Sequence, residues 1–144
     1  MTNFVLDNSV AMRWLLQSPK PADQRYAEDV LKRMSKHDAL VPNLWHLEAI
    51  NVLLGAEKRS EVSTGDIERF ISQLEMLPIL TDQLTTHQAF SRTQALARSY
   101  KLSSYDAAYL ELALREGLPI ATLDKMLVKA SIKAGVTIFL KPEK

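Results

Sequence analysis

Short apolar runs alternate with long stretches of helical periodicity along the chain, and this alternation constrains the fold more than any other feature. The runs are NFVLD (3–7), ALV (39–41), PIL (78–80), PIAT (119–122) and VTIFL (136–140). Each is too short for a helix and apolar enough for a buried strand. Between them, helical patterns cover 8–17, capped by Ser9, and then 22–36, 43–59, 64–77, 85–99, 104–116 and 124–134. Strands separated by helices need crossover connections, which give a mostly parallel sheet covered by helices on both faces. The expectation is an α/β fold: one α/β/α sandwich domain spanning residues 1–144.

Composition narrows the chemistry. The chain contains no cysteine, which excludes disulfides, thiolate metal sites and thiol nucleophiles. The start, MTNFVLDNSVAMRWLL, lacks the basic and then uninterrupted apolar pattern of a signal peptide. No run reaches the roughly 18 apolar residues of a membrane span. These features predict a cytoplasmic protein with no membrane association. With 18 basic and 17 acidic residues, net charge neither announces nor forbids a polyanionic partner.

Four carboxylates stand where open parallel sheets bind ligands, beyond the carboxyl ends of strands. Asp7 closes the first run, and Glu48 lies in the opening turns of the helix after the second. Asp106 lies in the first turn of SSYDAAYLELA (103–113), and Asp124 follows PIAT. Each also has a structural reading. Asp7 and Asp124 can cap the helices that follow them, and Asp106 can complete a capping box with Ser103. Glu48 can pair with a distant arginine. It sits in an apolar segment that reads as buried on most faces, with Leu44 and Val52 at the i−4 and i+4 positions.

A cluster of four like charges is costly unless cations neutralise it. Mg²⁺ and Mn²⁺ favour such oxygen donors and retain waters, which suits displacement at a phosphate. Asp7, Glu48, Asp106 and Asp124 are therefore the candidate metal-binding and catalytic residues.

The segments FVLDNSVAMRWLL, LWHLEAINVLL, LSSYDAAYLELAL and IATLDKML resemble the four acidic motifs of PIN-domain ribonucleases, and most of all VapC toxins of bacterial toxin–antitoxin pairs. The likeness runs from residue 4 to about 140. It implies that Asp7, Glu48, Asp106 and Asp124 bind Mg²⁺ or Mn²⁺. It also implies that Ser9 and Thr122 lie beside the metal as supporting or substrate-contacting hydroxyls, and it gives Asn8 no role. The implied activity is endonucleolytic cleavage of RNA, with tRNA or ribosomal RNA as substrate. The implied partners are a VapB-type antitoxin and a second copy of the chain. Some relatives carry a further acid just after the last one, where this chain has Met126.

Other chemistries fit less well. There is no G-x-S-x-G, P-loop or G-x-G-x-x-G. His37, His46 and His87 lack metal-ligand spacing. An aspartate-dependent phosphohydrolase would resemble D-x-D where this chain has Asp7-Asn8-Ser9. A catalytically silent binding module of the same fold remains the second alternative. Among the cations, Lys20, Arg25, Lys32, Arg33, Lys36, Lys58 and Arg59 read as solvated helix faces, while Arg13 is the candidate contact to RNA. Trp14 and Trp45 read as core.

Overall fold

The computed structural model describes residues 3–140. Four strands form a parallel sheet: β1 (Phe4–Leu6), β2 (Ala39–Val41), β3 (Ile79–Thr81) and β4 (Ile120–Ala121), in the spatial order β3-β2-β1-β4. The register pairs Val5 with Leu40 on one side and with Ile120 on the other. Phe4, Val5, Leu6, Ile120 and Ala121 are wholly buried, as expected for strands covered on both faces.

The connections are helical throughout. α1 (Asn8–Ala11) runs into a 3₁₀ turn at Met12–Trp14, and α2 (Pro21–Arg33) then leads to β2. α3 (Trp45–Lys58) and α4 (Thr64–Glu75) lead to β3. The return to β4 passes through α5 (Thr85–Gln88), α6 (Gln94–Tyr100) and α7 (Ser104–Glu116), and α8 (Lys125–Lys133) follows β4. The chain thus winds outward from β1 to β3 and then recrosses to add β4 on the opposite side of β1. The order reverses between β1 and β4, which makes the carboxyl ends of these two strands the topological switch point, the place where open α/β sheets bind ligands.

Local chemistry explains the element limits. Pro21 opens α2, where a missing N–H costs nothing. Ser63 and Asp66 form a reciprocal capping box at α4. Gly117 ends α7 with φ 67°, a left-handed conformation in which any Cβ would be strained. α7 is the central helix: every residue from Ala107 to Ala113 is buried, including Glu111. Glu111 is neutralised by Arg115 one turn on, at 2.9 Å, and Arg115 also clamps Asp82 at 2.8 Å, just beyond β3. Burial alone would raise Asp82, but hydrogen bonds from Arg115 and Thr85 outweigh it and hold the carboxyl below its usual range.

Three expectations need correction. The run 136–140 makes only one bridge, Ile138 to Ile120, instead of a strand, although Phe139 still stacks on Phe4 with ring centroids 4.2 Å apart. The helical stretch 85–99 contains a π turn at Ala89–Thr93 between α5 and α6. Phe90, within that turn, is 94% exposed. Finally, α3 is not buried on most faces: Trp45, Ala49, Leu53 and Ala56 face the core, but Leu47 is 77% exposed and Leu54 47%. Trp45 is core as expected; Trp14 is partly buried and donates its indole hydrogen to the Ala27 carbonyl at 2.8 Å.

Candidate active site

β1 delivers Asp7 to the switch point, and its backbone stays tied to β4 through a hydrogen bond from Asp7 N to the Ala121 carbonyl at 3.0 Å. The Asp7 side chain is 7% exposed. Ser9 and Thr122 both donate to its Oδ2, at 2.6 Å and 2.7 Å. Each hydroxyl has one hydrogen and spends it on Asp7, so each is free to accept. Ser9 accepts from the Leu123 amide at 2.9 Å, and Thr122 accepts from the Asp124 amide at 3.1 Å. The two hydroxyls thus lock the start of α1 to the segment after β4 and aim one carboxylate between them. Ser9 is not the cap of the first helix; Asp7 stands at that position and makes no side-chain capping bond.

Glu48 projects from the first turn of α3. Tyr109 of α7 donates to its Oε1 at 2.6 Å, and Asn8 donates to the same oxygen at 3.3 Å. Its partners are therefore a phenol and an amide, not a distant arginine. Asn8 also anchors to the Trp45 carbonyl at 2.9 Å, while its own buried carboxamide oxygen has no partner. Asp106 is half-buried in the first turn of α7; its amide is capped by Ser103 at 3.1 Å, and the reciprocal half of a capping box is not formed. Asp124 caps α8 through Oδ1, which accepts from the Leu127 amide at 3.0 Å.

The four carboxylates lie within one another's field. Burial raises Asp7 to about 6, opposed by the Ser9 and Thr122 hydrogen bonds and reinforced by the charges of Glu48 and Asp124. Burial also raises Asp106 to about 6, with Asp124 and Asp7 adding to the effect. Glu48 is raised by burial and by Asp106, against the bonds from Tyr109 and Asn8. Burial pushes the Tyr109 phenol well above its ordinary range, which keeps it a donor.

A hard cation needs oxygen donors that the protein has not already consumed. Asp7 and Glu48 each engage a single oxygen, Asp124 engages only Oδ1, and the Asp106 carboxylate accepts no hydrogen bond among the described residues. The donor type therefore suits Mg²⁺ or Mn²⁺. The spacing is open: among the described residues, no three His, Cys, Asp or Glu side chains converge into a ready-made cation cage. Such an arrangement leaves much of a cation's shell to water and to a phosphate.

The sequence-derived candidates divide accordingly. Asp7, Ser9 and Thr122 are hydrogen-bonded to one another; the charges of Glu48 and Asp124 act on Asp7, those of Asp124 and Asp7 on Asp106, and that of Asp106 on Glu48. Arg13 is not brought into the group: it donates to the Gln17 carbonyl at 3.2 Å, and its charge acts on Glu61. Asn8 and Tyr109 were missed. The available signal for Tyr109 was its place three residues after Asp106, hence on the same face of one helix.

Comparison with known proteins agrees with this topology. The PIN domain family model matches residues 4–133. The chain belongs to the PIN domain family. Among solved structures, this PIN domain is similar to PAE2754 from Pyrobaculum aerophilum, with 21% identity, TM-score 0.64, and coverage of 90% of this chain and 86% of that one. It is also similar to a toxin–antitoxin complex from Klebsiella pneumoniae, with 20% identity, TM-score 0.58 and coverage of 90% of both chains. A third likeness is to FitAcB from Neisseria gonorrhoeae, at 18% identity and TM-score 0.59, covering 94% of this chain and 96% of that one. No curated protein sequence matches significantly. Likeness at these identities concerns the fold.

Proposed function

We propose that this PIN domain is a divalent-metal-dependent endoribonuclease and the toxin of a VapBC-type pair. The observation that supports the reading is that Asp7 and Asp106, on separate segments near the sheet's switch point, are both raised to about 6 by burial and by neighbouring carboxylates. PIN domains are in general nucleases, and one similar structure is a toxin–antitoxin complex.

Asp7, Glu48, Asp106 and Asp124 would hold Mg²⁺ or Mn²⁺. Bound there, the cation would supply water activation and charge neutralisation at phosphorus. The protein's own groups prepare that site. Ser9 and Thr122 fix the rotamer of Asp7, and Tyr109 and Asn8 fix that of Glu48. Asp106 carries no hydrogen bond that a ligand would have to displace. Each acid is carried on or next to a strand or helix of the fold, the kind of support that holds a binding constellation in place.

The proposed substrate is tRNA or ribosomal RNA, and the proposed partners are a VapB-type antitoxin and a second copy of the chain. Leu47 and Leu54, two turns apart on one face of α3 and 77% and 47% exposed, are the apolar surface that supports a protein partner. A cytoplasmic location is in keeping with the described residues, in which no helix is long and apolar enough to cross a membrane.

The test is cleavage of total bacterial RNA by purified, partner-free protein in Mn²⁺, Mg²⁺ or EDTA, with Asp7→Asn alongside. Discrete fragments that require metal and vanish in the variant are the expected result. The open spacing of the acids favours one second reading, a catalytically silent PIN module. It is distinguished by Mn²⁺ titration, since a silent module gives neither cleavage nor metal binding.

A further inference from the structure

α8 begins on Asp124, one of the four acids, and continues with a row of cations. Lys125, Lys129 and Lys133 stand at four-residue intervals on one face, so successive lysines are about 6 Å apart along the axis. That is close to the separation of neighbouring phosphates along a strand. Across from them lies Lys101, at the end of α6, and the four lysines line one groove of about 610 Å³.

Ordinary structural roles do not account for this arrangement. All four lysines are exposed, and like most cations of the chain none is in an ion pair among the described residues. Like charges at four-residue spacing on a helix repel one another. The helix dipole favours Lys133 and Lys101, which stand at carboxyl ends, but disfavours Lys125 in the first turn of α8. Lys101 also adopts a left-handed backbone, φ 56° and ψ 45°, at a position where glycine would be strain-free. The chain as a whole is nearly neutral, so the accumulation is local.

We infer that this groove is a second RNA-binding site, a track in which Lys101, Lys125, Lys129 and Lys133 hold the backbone phosphates that flank a phosphate at the four acids. The inference rests on the nuclease reading for its choice of polyanion. The track compensates for the acids: four carboxylates repel a nucleic-acid strand, and cations starting one residue beyond Asp124 hold it at their edge. Recognition is of backbone charge and carries no base preference.

The test is fluorescence anisotropy with a labelled single-stranded RNA in EDTA, where metal-dependent cleavage is off, between 50 and 200 mM KCl. Wild type is compared with Lys125→Ala/Lys129→Ala and with the charge-keeping Lys125→Arg/Lys129→Arg. With about 0.7 counterion released per neutralised phosphate, the alanine pair should lower the salt slope by about 1.4 and weaken binding on the order of tenfold. The arginine pair should bind as wild type does. Wild-type affinity and slope in the alanine pair would overturn the track. So would wild-type protein that cleaves RNA with Mn²⁺ yet binds none in EDTA; loss of both binding and cleavage would overturn the nuclease reading as well. Tight, lysine-dependent binding of an acidic peptide with no binding of RNA would reassign the groove to a protein partner.

Discussion

Tyr109 donates its phenolic hydrogen to Glu48 Oε1 at 2.6 Å, joining two helices whose positions are 61 residues apart. Tyr109 is wholly buried, so the bond has no competition from water at the tyrosine end. It makes the rotamer of Glu48 a property of α7 as much as of α3. Tyr109→Phe removes this bond and keeps the ring. The expected outcome is a loss of about 1.5–3 kcal/mol in urea unfolding, the usual worth of a bond to a charged group. Cleavage should fall while Asn8 continues to hold Glu48 in part, and the Mn²⁺ concentration for half-maximal activity should rise.

Asp7→Asn preserves an acceptor for Ser9 and Thr122 and deletes the charge. Cleavage should drop by at least about a hundredfold, in line with loss of a group acting on the reacting centre. Thermal stability of the metal-free protein should hold or rise, because repulsion with Glu48 and Asp124 is relieved. Differential scanning calorimetry in EDTA, paired with the RNA assay, checks both halves. A large fall in stability would show that Asp7 is structural.

The pH dependence of stability follows from the same pair of acids. Asp7 and Asp106 both stand near 6, above the usual 3.8 of an unfolded aspartate. Between those values the native protein binds more protons than the unfolded chain, so stability falls as pH rises through the window. Metal-free protein should therefore melt at a higher temperature at pH 5 than at pH 7.5. Adding Mn²⁺ should raise the melting temperature at pH 7.5 and flatten the profile, since a cation stabilises the charged forms. Melting curves with and without EDTA decide it.

Arg115 neutralises two carboxylates that lie away from the site, Glu111 and Asp82. Arg115→Met fills much of the same volume but strands a buried Glu111. The expected cost is about 3–5 kcal/mol in urea unfolding, the range for breaking one side of a buried pair. Arg115→Lys should recover only part of it, because an ammonium cannot reproduce the fork that spans both acids.

The strand–helix alternation and the ends of α7 were readable because local chemistry decides them: Ser103 caps one end and Gly117 closes the other. The acids were readable as positions at strand ends. Their supports were not, since Glu48 is held from α7 and Asp7 is held by a threonine 115 residues away. Apolar periodicity in α3 could not say which flank would be left bare. The run 136–140 has strand composition, but only Ile138 finds a neighbour, on β4. Regular backbone is coded within a few residues, whereas side-chain partnership depends on which distant segments the crossovers bring together.

The outward-and-back winding of the sheet has a consequence for synthesis. A growing chain that has reached only β3 carries Asp7 and Glu48 but lacks Asp106, Asp124, Tyr109 and Thr122. Neither carboxylate then has its scaffold: Glu48 has no phenol, and Asp7 lacks one of its two hydroxyls. β1 itself remains an open edge until β4 pairs with it. The four acids and their supports therefore come together only after the segment that closes the sheet has been made, and a chain stopped short of β4 holds Asp7 and Glu48 in an arrangement unlike the folded one.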